Sequence, residues 1–186
     1  LQNIPIRTAE GRQIRQAFLP EEGWMLLSAD YSQVELRILA HLSEDPLLID
    51  AFLKEEDIHT RTASEVFNVA PERVTPELRR QAKAINFGII YRMSPFGLSR
   101  QLGISQKMAK TYIDHYFSRY PGVRAYLDRT VEQARIAGRT GTLMGRIRLL
   151  PEIGSSNHNQ RQFAERTAIN TPIQGTAADL LKVSMI

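Results

Sequence analysis

An α+β fold, mostly helical with a few strands, follows from three observations on the sequence. Apolar residues recur at helical spacing over several long windows, each opened by a Ser, Thr or Asp cap or by a proline, and several are closed by a turn. Only two short stretches read as strand, "WMLLSA" (Trp24 to Ala29) and "TGTLMGRIRLLP", the latter a hairpin around Met144 and Gly145. No Pro/Gly/Ser linker separates two independent domains, and repeats and low-complexity tracts are absent.

Taken in order, the opening Leu1 to Pro20 reads as extended and loop-like, with Arg7, Arg12 and Arg15 interspersed. The apolar run Trp24 to Ala29 has strand length and ends at Asp30. Ser32 is placed to cap a helix with Glu35 three residues on, the capping-box spacing, while Leu36, Ile38, Leu39 and Ala40 supply its buried face as far as Ser43. Asp45 caps a second helix with Pro46 at its first position, and a third follows Asp57 through "IHTRTASEVF". Thr75 and Pro76 start "ELRRQAKAINFGIIY", Glu77 to about Tyr91. Ser105 caps "QKMAKTYIDHYF", and Pro121 with Gly122 opens "VRAYLDRTVEQARIAG", closed by Gly138. After the hairpin come two helical stretches, His158 to Ile169 and Gly175 onward, expected to be parted by Thr171 and Pro172.

Composition bounds the function. The chain has 186 residues, 42% of them hydrophobic and 24% charged, which suits a folded globular piece rather than a disordered one. Without cysteine it has no disulfide, thiolate metal site or cysteine nucleophile. No apolar run approaches the roughly 20 residues of a membrane helix, and "LQNIPIRTAEGRQIRQ" lacks a signal-peptide core, so a cytoplasmic setting with no membrane partner is expected. The net charge of +4 and pI of about 9.6 permit a polyanionic partner without demanding one. Because the chain starts at Leu1 and stops inside the helical pattern "DLLKVSMI", it reads as a fragment.

Two features could carry chemistry. A carboxylate at the end of a buried strand, as Asp30 is expected to be, is held at the edge of the core where a metal or ligand can reach it; alternatively it merely helps the chain turn. In the helix from Glu77, the residues Arg79, Lys83, Phe87 and Tyr91 are spaced four apart, and at about 3.6 residues per turn they form one slowly drifting stripe. Leu78, Ala82, Ile85 and Ile89 on the other side are spaced to face a core. Two cations one turn apart can bind polyphosphate oxygens, and the aromatics beyond them offer a surface to a sugar or base. The bland alternative is a solvated face ending in a buried Phe. A P-loop is missing, so phosphate would be held by side chains.

"DYSQVELR" (Asp30 to Arg37), "RRQAKAINFGIIY" (Arg79 to Tyr91) and "TPIQGTAADLLK" (Thr171 to Lys182) together resemble the polymerase domain of the family A DNA polymerases, over nearly the whole chain and in the family's order. The resemblance implies a right-hand architecture: residues 1–50 as the first part of the palm, 51–140 as mostly helical fingers inserted in the antiparallel-sheet palm, and 141–186 as the returning palm. It implies template-directed transfer of a deoxynucleotide from a dNTP to a primer 3′-hydroxyl, with two Mg²⁺ ions, primer–template DNA and dNTPs as partners, and a monomer in the bacterial nucleoid. Asp30 becomes a catalytic metal ligand, and Tyr31 adds its backbone carbonyl. Glu35 lies under the sugar and excludes a 2′-hydroxyl, a duty that competes with its capping role. Arg79 and Lys83 hold the β and γ phosphates, with Lys83 counted among the catalytic residues; Phe87 packs on the sugar and Tyr91 lies by the templating base. His59 matches a further phosphate contact, although a lone histidine is also a common structural residue. Gln33 on the nucleotide side and Arg37 on the DNA side support the site. Arg166, Asn170 and Gln174, four apart, match residues that read minor-groove acceptors without choosing sequence; without the family they would be a polar face.

Two departures stand out. Arg92 replaces the glycine the family usually has after the fingers tyrosine, and the second metal-binding carboxylate, in a His-Asp-Glu motif, is expected downstream of Ile186. Thumb and proofreading domains are expected upstream, and the 186 residues alone are expected to be inactive. A single-subunit RNA polymerase and a non-catalytic DNA-binding module are the competing readings; Glu35 argues against the first.

Overall fold

The computed structural model describes residues 4–5 and 8–186, which form two compact units, 1–32 and 33–186. In the first unit, α1 (Ala9–Gln16) is an addition to the expected loop. Thr8 caps it, accepting the Gly11 N–H at 3.1 Å, and Arg15 in its last turn donates to the Ile4 carbonyl at 3.2 Å. The extended reading of residues 1–3 and of 6–7, Arg7 included, lies outside the described residues.

The expected strand at Trp24 to Ala29 does not form; the segment is irregular, and Trp24, Met25, Leu26 and Leu27 are 72%, 92%, 61% and 93% exposed. A strand exists only when a neighbour takes its N–H and C=O groups, and among the described residues the one sheet lies elsewhere. The rigid strand end expected under Asp30 is therefore absent.

The second unit follows the local punctuation closely. Its helices are α2 (Val34–Ser43), α3 (Pro46–Leu53), α4 (Ile58–Phe67), α5 (Pro76–Ile90), α6 (Pro95–Leu102), α7 (Gln106–Arg119) and α8 (Pro121–Ala137). Then come β1 (Arg139–Gly141), β2 (Ile147–Leu149), α9 (His158–Asn170) and α10 (Thr176–Ser184). Asp45, Asp57, Thr75 and Ser105 each cap their helix through a side-chain oxygen, as their positions foretell. The sequence reading passed over α6, though Ser94, Pro95 and Gly103 punctuate it in the same way. The N-cap position of α2 is Gln33 and not the expected Ser32. That helix starts at Val34 behind Gln33, which has a left-handed backbone (φ 57°) and makes no side-chain cap. The Glu35 carboxylate instead accepts the Tyr91 hydroxyl, 56 residues away in the chain, at 3.0 Å.

The antiparallel hairpin pairs Arg139 with Leu149, Thr140 with Arg148 and Gly141 with Ile147, and turns through Met144 and Gly145 as expected. Between α9 and α10 the expected break is not a break: Thr171–Gly175 forms a π turn that keeps the two helices joined. Proline lacks the N–H of an α-helical turn and its ring crowds the carbonyl four residues back, and the chain passes Pro172 in this wider turn with helical backbone on either side.

The main core gathers Leu36 and Leu39 of α2, Ile58 of α4, Ile85 and Ile90 of α5, Tyr116 of α7 and Ile169 of α9. Asp45 joins two helix starts within it. Fully buried, its carboxylate accepts the Leu47 and Leu48 N–H groups of α3 and, at 2.9 Å, the Gly122 N–H of α8. A Cβ at Gly122 would fall 2.9 Å from the Asp45 Cα, so the contact demands glycine. Asp45→Ala leaves three donors unmet and is expected to cost about 2–4 kcal/mol, read as a lowered unfolding midpoint in denaturant at unchanged slope.

Candidate functional site

Helix α5 presents the stripe. Ala82, Ile85 and Ile89 are buried in the core and Leu78 is half-buried, so Arg79, Lys83, Phe87 and Tyr91 fall on the other side. Arg79 Nε bonds Asp57 Oδ2 at 2.7 Å, with both side chains half-exposed. Such a pair contributes little stability and is readily exchanged for another anion. Burial pushes the Asp57 carboxyl up, but the Arg79 hydrogen bond, the Thr60 and His59 N–H groups and the Arg79 charge outweigh it and hold it below the usual range. Lys83 is exposed and has no carboxylate partner among the described residues; its Nζ sits 5.9 Å from the centroid of the Phe87 ring. Phe87 and Tyr91 lie nearly parallel, their centroids 6.2 Å apart and planes at 18°. Burial raises the Tyr91 hydroxyl above its ordinary pKa, with the nearby Glu35 adding to the shift.

His59 of α4 is buried beside this stripe, its ring centroid 6.1 Å from that of Phe87. Its Nδ1 lies 3.1 Å from the Asn86 amide nitrogen, and Asn86 in turn exchanges hydrogen bonds of 3.0 and 3.1 Å with the Thr62 hydroxyl. Asn86 and Thr62 are fully buried. With Nδ1 accepting, the neutral ring carries its proton on Nε2. Burial, helped by the Arg79 and Lys83 charges and opposed by Asp57, lowers the His59 pKa from 6.5 to about 4. Between those values the unfolded chain binds a proton that the folded chain does not, so stability is full above about pH 6.5 and falls as pH drops toward 4. The expected result is an unfolding free energy whose pH slope approaches one proton in that window and is lost in His59→Gln, measured by denaturant titration at a series of pH values.

Helix α2 brings Glu35 to Tyr91, while Gln33 is half-buried at its start and Arg37 lays its guanidinium 4.7 Å from the Phe52 ring centroid. Asp30 and Tyr31 belong to the first unit, where both are exposed. Among the described residues no three His, Cys, Asp or Glu side chains converge on a metal position.

The Arg166, Asn170 and Gln174 set is divided. Asn170 and Gln174 line a cavity of about 400 Å³ together with Thr167, Thr171, Arg146 and Arg148. Arg166 lines a different cleft, of about 510 Å³, with Tyr91, Arg92, Gln162 and Glu165. Asn170 Oδ1 is buried with no hydrogen-bond partner among the described residues. The hairpin is held there by Arg146, which bonds Asp179 at 2.8 Å and the Gly175 carbonyl at 2.9 Å. The sequence reading missed Arg146 and Arg148, although their spacing of two on a strand already put both on one side. It also missed Asp57 as the partner of Arg79 and the Asn86–Thr62 pair behind His59. These have no local signature, since each depends on a residue more than 20 positions away.

A sequence model of the family "DNA polymerase family A" matches residues 1–186. Over its full length the chain is 60% identical to DNA polymerase I of Pseudomonas aeruginosa and 57% identical to DNA polymerase I of Bacillus subtilis, of which it covers 20% and 21%. The chain thus spans about a fifth of the length of these relatives. Among solved structures, the POL domain of Pol1 from M. smegmatis in complex with DNA primer-template and dNTP superposes with a TM-score of 0.91 at 53% identity, covering all of this chain and 33% of that one. With the family matched from end to end and the fold shared with a polymerase domain, this chain belongs to DNA polymerase family A.

Proposed function

We propose that the longer protein containing this chain transfers deoxynucleotides from dNTPs to a primer 3′-end under the direction of a template, and that these residues are its fingers and part of its palm. The division proposed is 1–50 palm, 51–140 fingers and 141–186 palm. The observation that carries the reading is the order of groups along α5: a cation that is loosely paired, a cation with no carboxylate partner among the described residues, then two parallel rings, with a buried neutral histidine beside them. That order matches a nucleoside triphosphate laid out from phosphate to base.

In this reading Arg79 leaves Asp57 for a phosphate oxygen, Lys83 neutralises the leaving pyrophosphate, and His59 donates its Nε2 proton to the same chain of oxygens. Phe87 supports the sugar, Tyr91 abuts the base, and Gln33 steadies the nucleotide side. Glu35, held by the Tyr91 hydroxyl, occupies the space a 2′-hydroxyl would need. Asn170, Gln174, Arg166 and Arg37 face primer–template DNA.

Asp30 and the Tyr31 carbonyl offer oxygen donors, the type Mg²⁺ prefers, but make only part of a ligand set; the longer protein supplies the rest. Family A polymerases in general use metal ions. Two bound Mg²⁺ would activate the primer hydroxyl and offset triphosphate charge. The negative charge of Asp30 supports this, and the enzyme is proposed as a monomer in the nucleoid.

The test is incorporation by the longer protein on a primed template with dNTPs and rNTPs in parallel. Strong preference for dNTPs is expected, falling by about 10–100-fold in Glu35→Ala as the space under the sugar opens. Equal use of both by the parent would favour an RNA polymerase, and no incorporation of either would leave a DNA-binding module.

A further inference from the structure

The C-terminal end of α5 carries a cation that the stripe does not use. Arg92 follows Tyr91 with a left-handed backbone, φ 49°, a conformation that disfavours residues with a Cβ. Its side chain is 42% exposed over the 510 Å³ cleft and reaches Glu165 of α9 at 3.2 Å. Glu165, only 11% exposed, is already neutralised on its other oxygen by Arg135 of α8 at 2.5 Å. Two guanidiniums therefore share one carboxylate, and the Arg92 contact is the longer of the two. Arg166 lines the same cleft, leaving it with a surplus of positive charge beside the edge of Tyr91.

We infer that Arg92 is a binding residue for a backbone phosphate of the single-stranded template, which it takes by exchanging Glu165 for that phosphate. The inference rests on the proposed nucleotide site. If phosphates lie at Arg79 and Lys83 and the base at Tyr91, the strand pairing with that base must pass beyond Tyr91, where Arg92 and its cleft lie. A phosphodiester is the anion that strand presents, and a guanidinium already half-released from a shared carboxylate can accept it without leaving Glu165 unpaired.

The test uses the longer polymerase with blunt duplex and with primed template carrying a six-nucleotide overhang, measuring Kd over a salt series. Arg92→Gly is expected to weaken overhang binding about 3–10-fold at low salt and lower its salt slope by about 0.7, the share of one single-strand phosphate, with blunt duplex unchanged. Arg92→Lys should retain the slope. Glu165→Gln should shift overhang affinity the opposite way, tighter, because Arg92 is freed; should that variant unfold, the Arg92→Gly and Arg92→Lys pair decides alone. Unchanged overhang binding in Arg92→Gly, equal loss on blunt duplex, or weakening in both Arg92→Gly and folded Glu165→Gln would each overturn the inference, the last marking a purely structural latch. A parent that incorporates dNTPs while Arg92→Gly binds normally defeats this inference alone; a parent that incorporates nothing defeats the nucleotide site beneath it.

Discussion

Asp30→Asn in the longer polymerase is expected to lower kcat by about 10²–10⁴-fold while leaving the Kd for primer–template DNA within about threefold. The amide keeps the shape of the side chain and removes the charge, and losing a few kcal/mol of electrostatic stabilisation at about 1.4 kcal/mol per decade gives that range. DNA affinity is spared because the proposed DNA-facing residues, Asn170, Gln174, Arg166 and Arg37, are untouched. Single-turnover incorporation with a separate binding titration distinguishes the two effects. Retained turnover would remove Asp30 from the chemistry. The segment before Asp30 has an apolar composition, lies exposed, and makes no ladder among the described residues.

Lys83→Gln is expected to lower kcat/KM for dNTP by about 10²–10³-fold, the usual cost of deleting one donor aimed at developing charge. Among the described residues Lys83 is the cation of the stripe with no carboxylate partner, so in the proposed site its whole charge would be available to a triphosphate, whereas Arg79 would first give up Asp57. The loss should fall in kcat as well as KM, because the charge on the leaving group grows in the transition state. Arginine at this position should restore part of the rate. A change confined to KM would make Lys83 a ground-state phosphate contact and nothing more.

Much of the fold was legible because its punctuation is local. Asp45, Asp57, Thr75 and Ser105 cap their helices with their own oxygens, and Pro46, Pro76 and Pro121 stand at first positions where a missing N–H is harmless. The stripe on α5 was equally readable, since a repeat of four on a helix is geometry and needs no partner. What escaped was shorter or more polar. The eight residues "AEGRQIRQ" of α1 are short and strongly polar, so no apolar run marks them as a packed helix.

By itself, then, the sequence determined where most helices begin and end, which face of α5 is buried and which is presented, and the motifs that place the chain in its family. Only the tertiary structure decided that Glu35 serves Tyr91 instead of its own helix start, that Thr171–Gly175 continues as a wide turn, that Asn86 and Thr62 stand behind His59, and that Trp24 to Ala29 is not a strand within these residues. The reason is range. Caps and periodicity act over three or four residues, but a carboxylate bonds whichever donor folding brings nearest, and a strand exists only when another chain segment completes its hydrogen bonds.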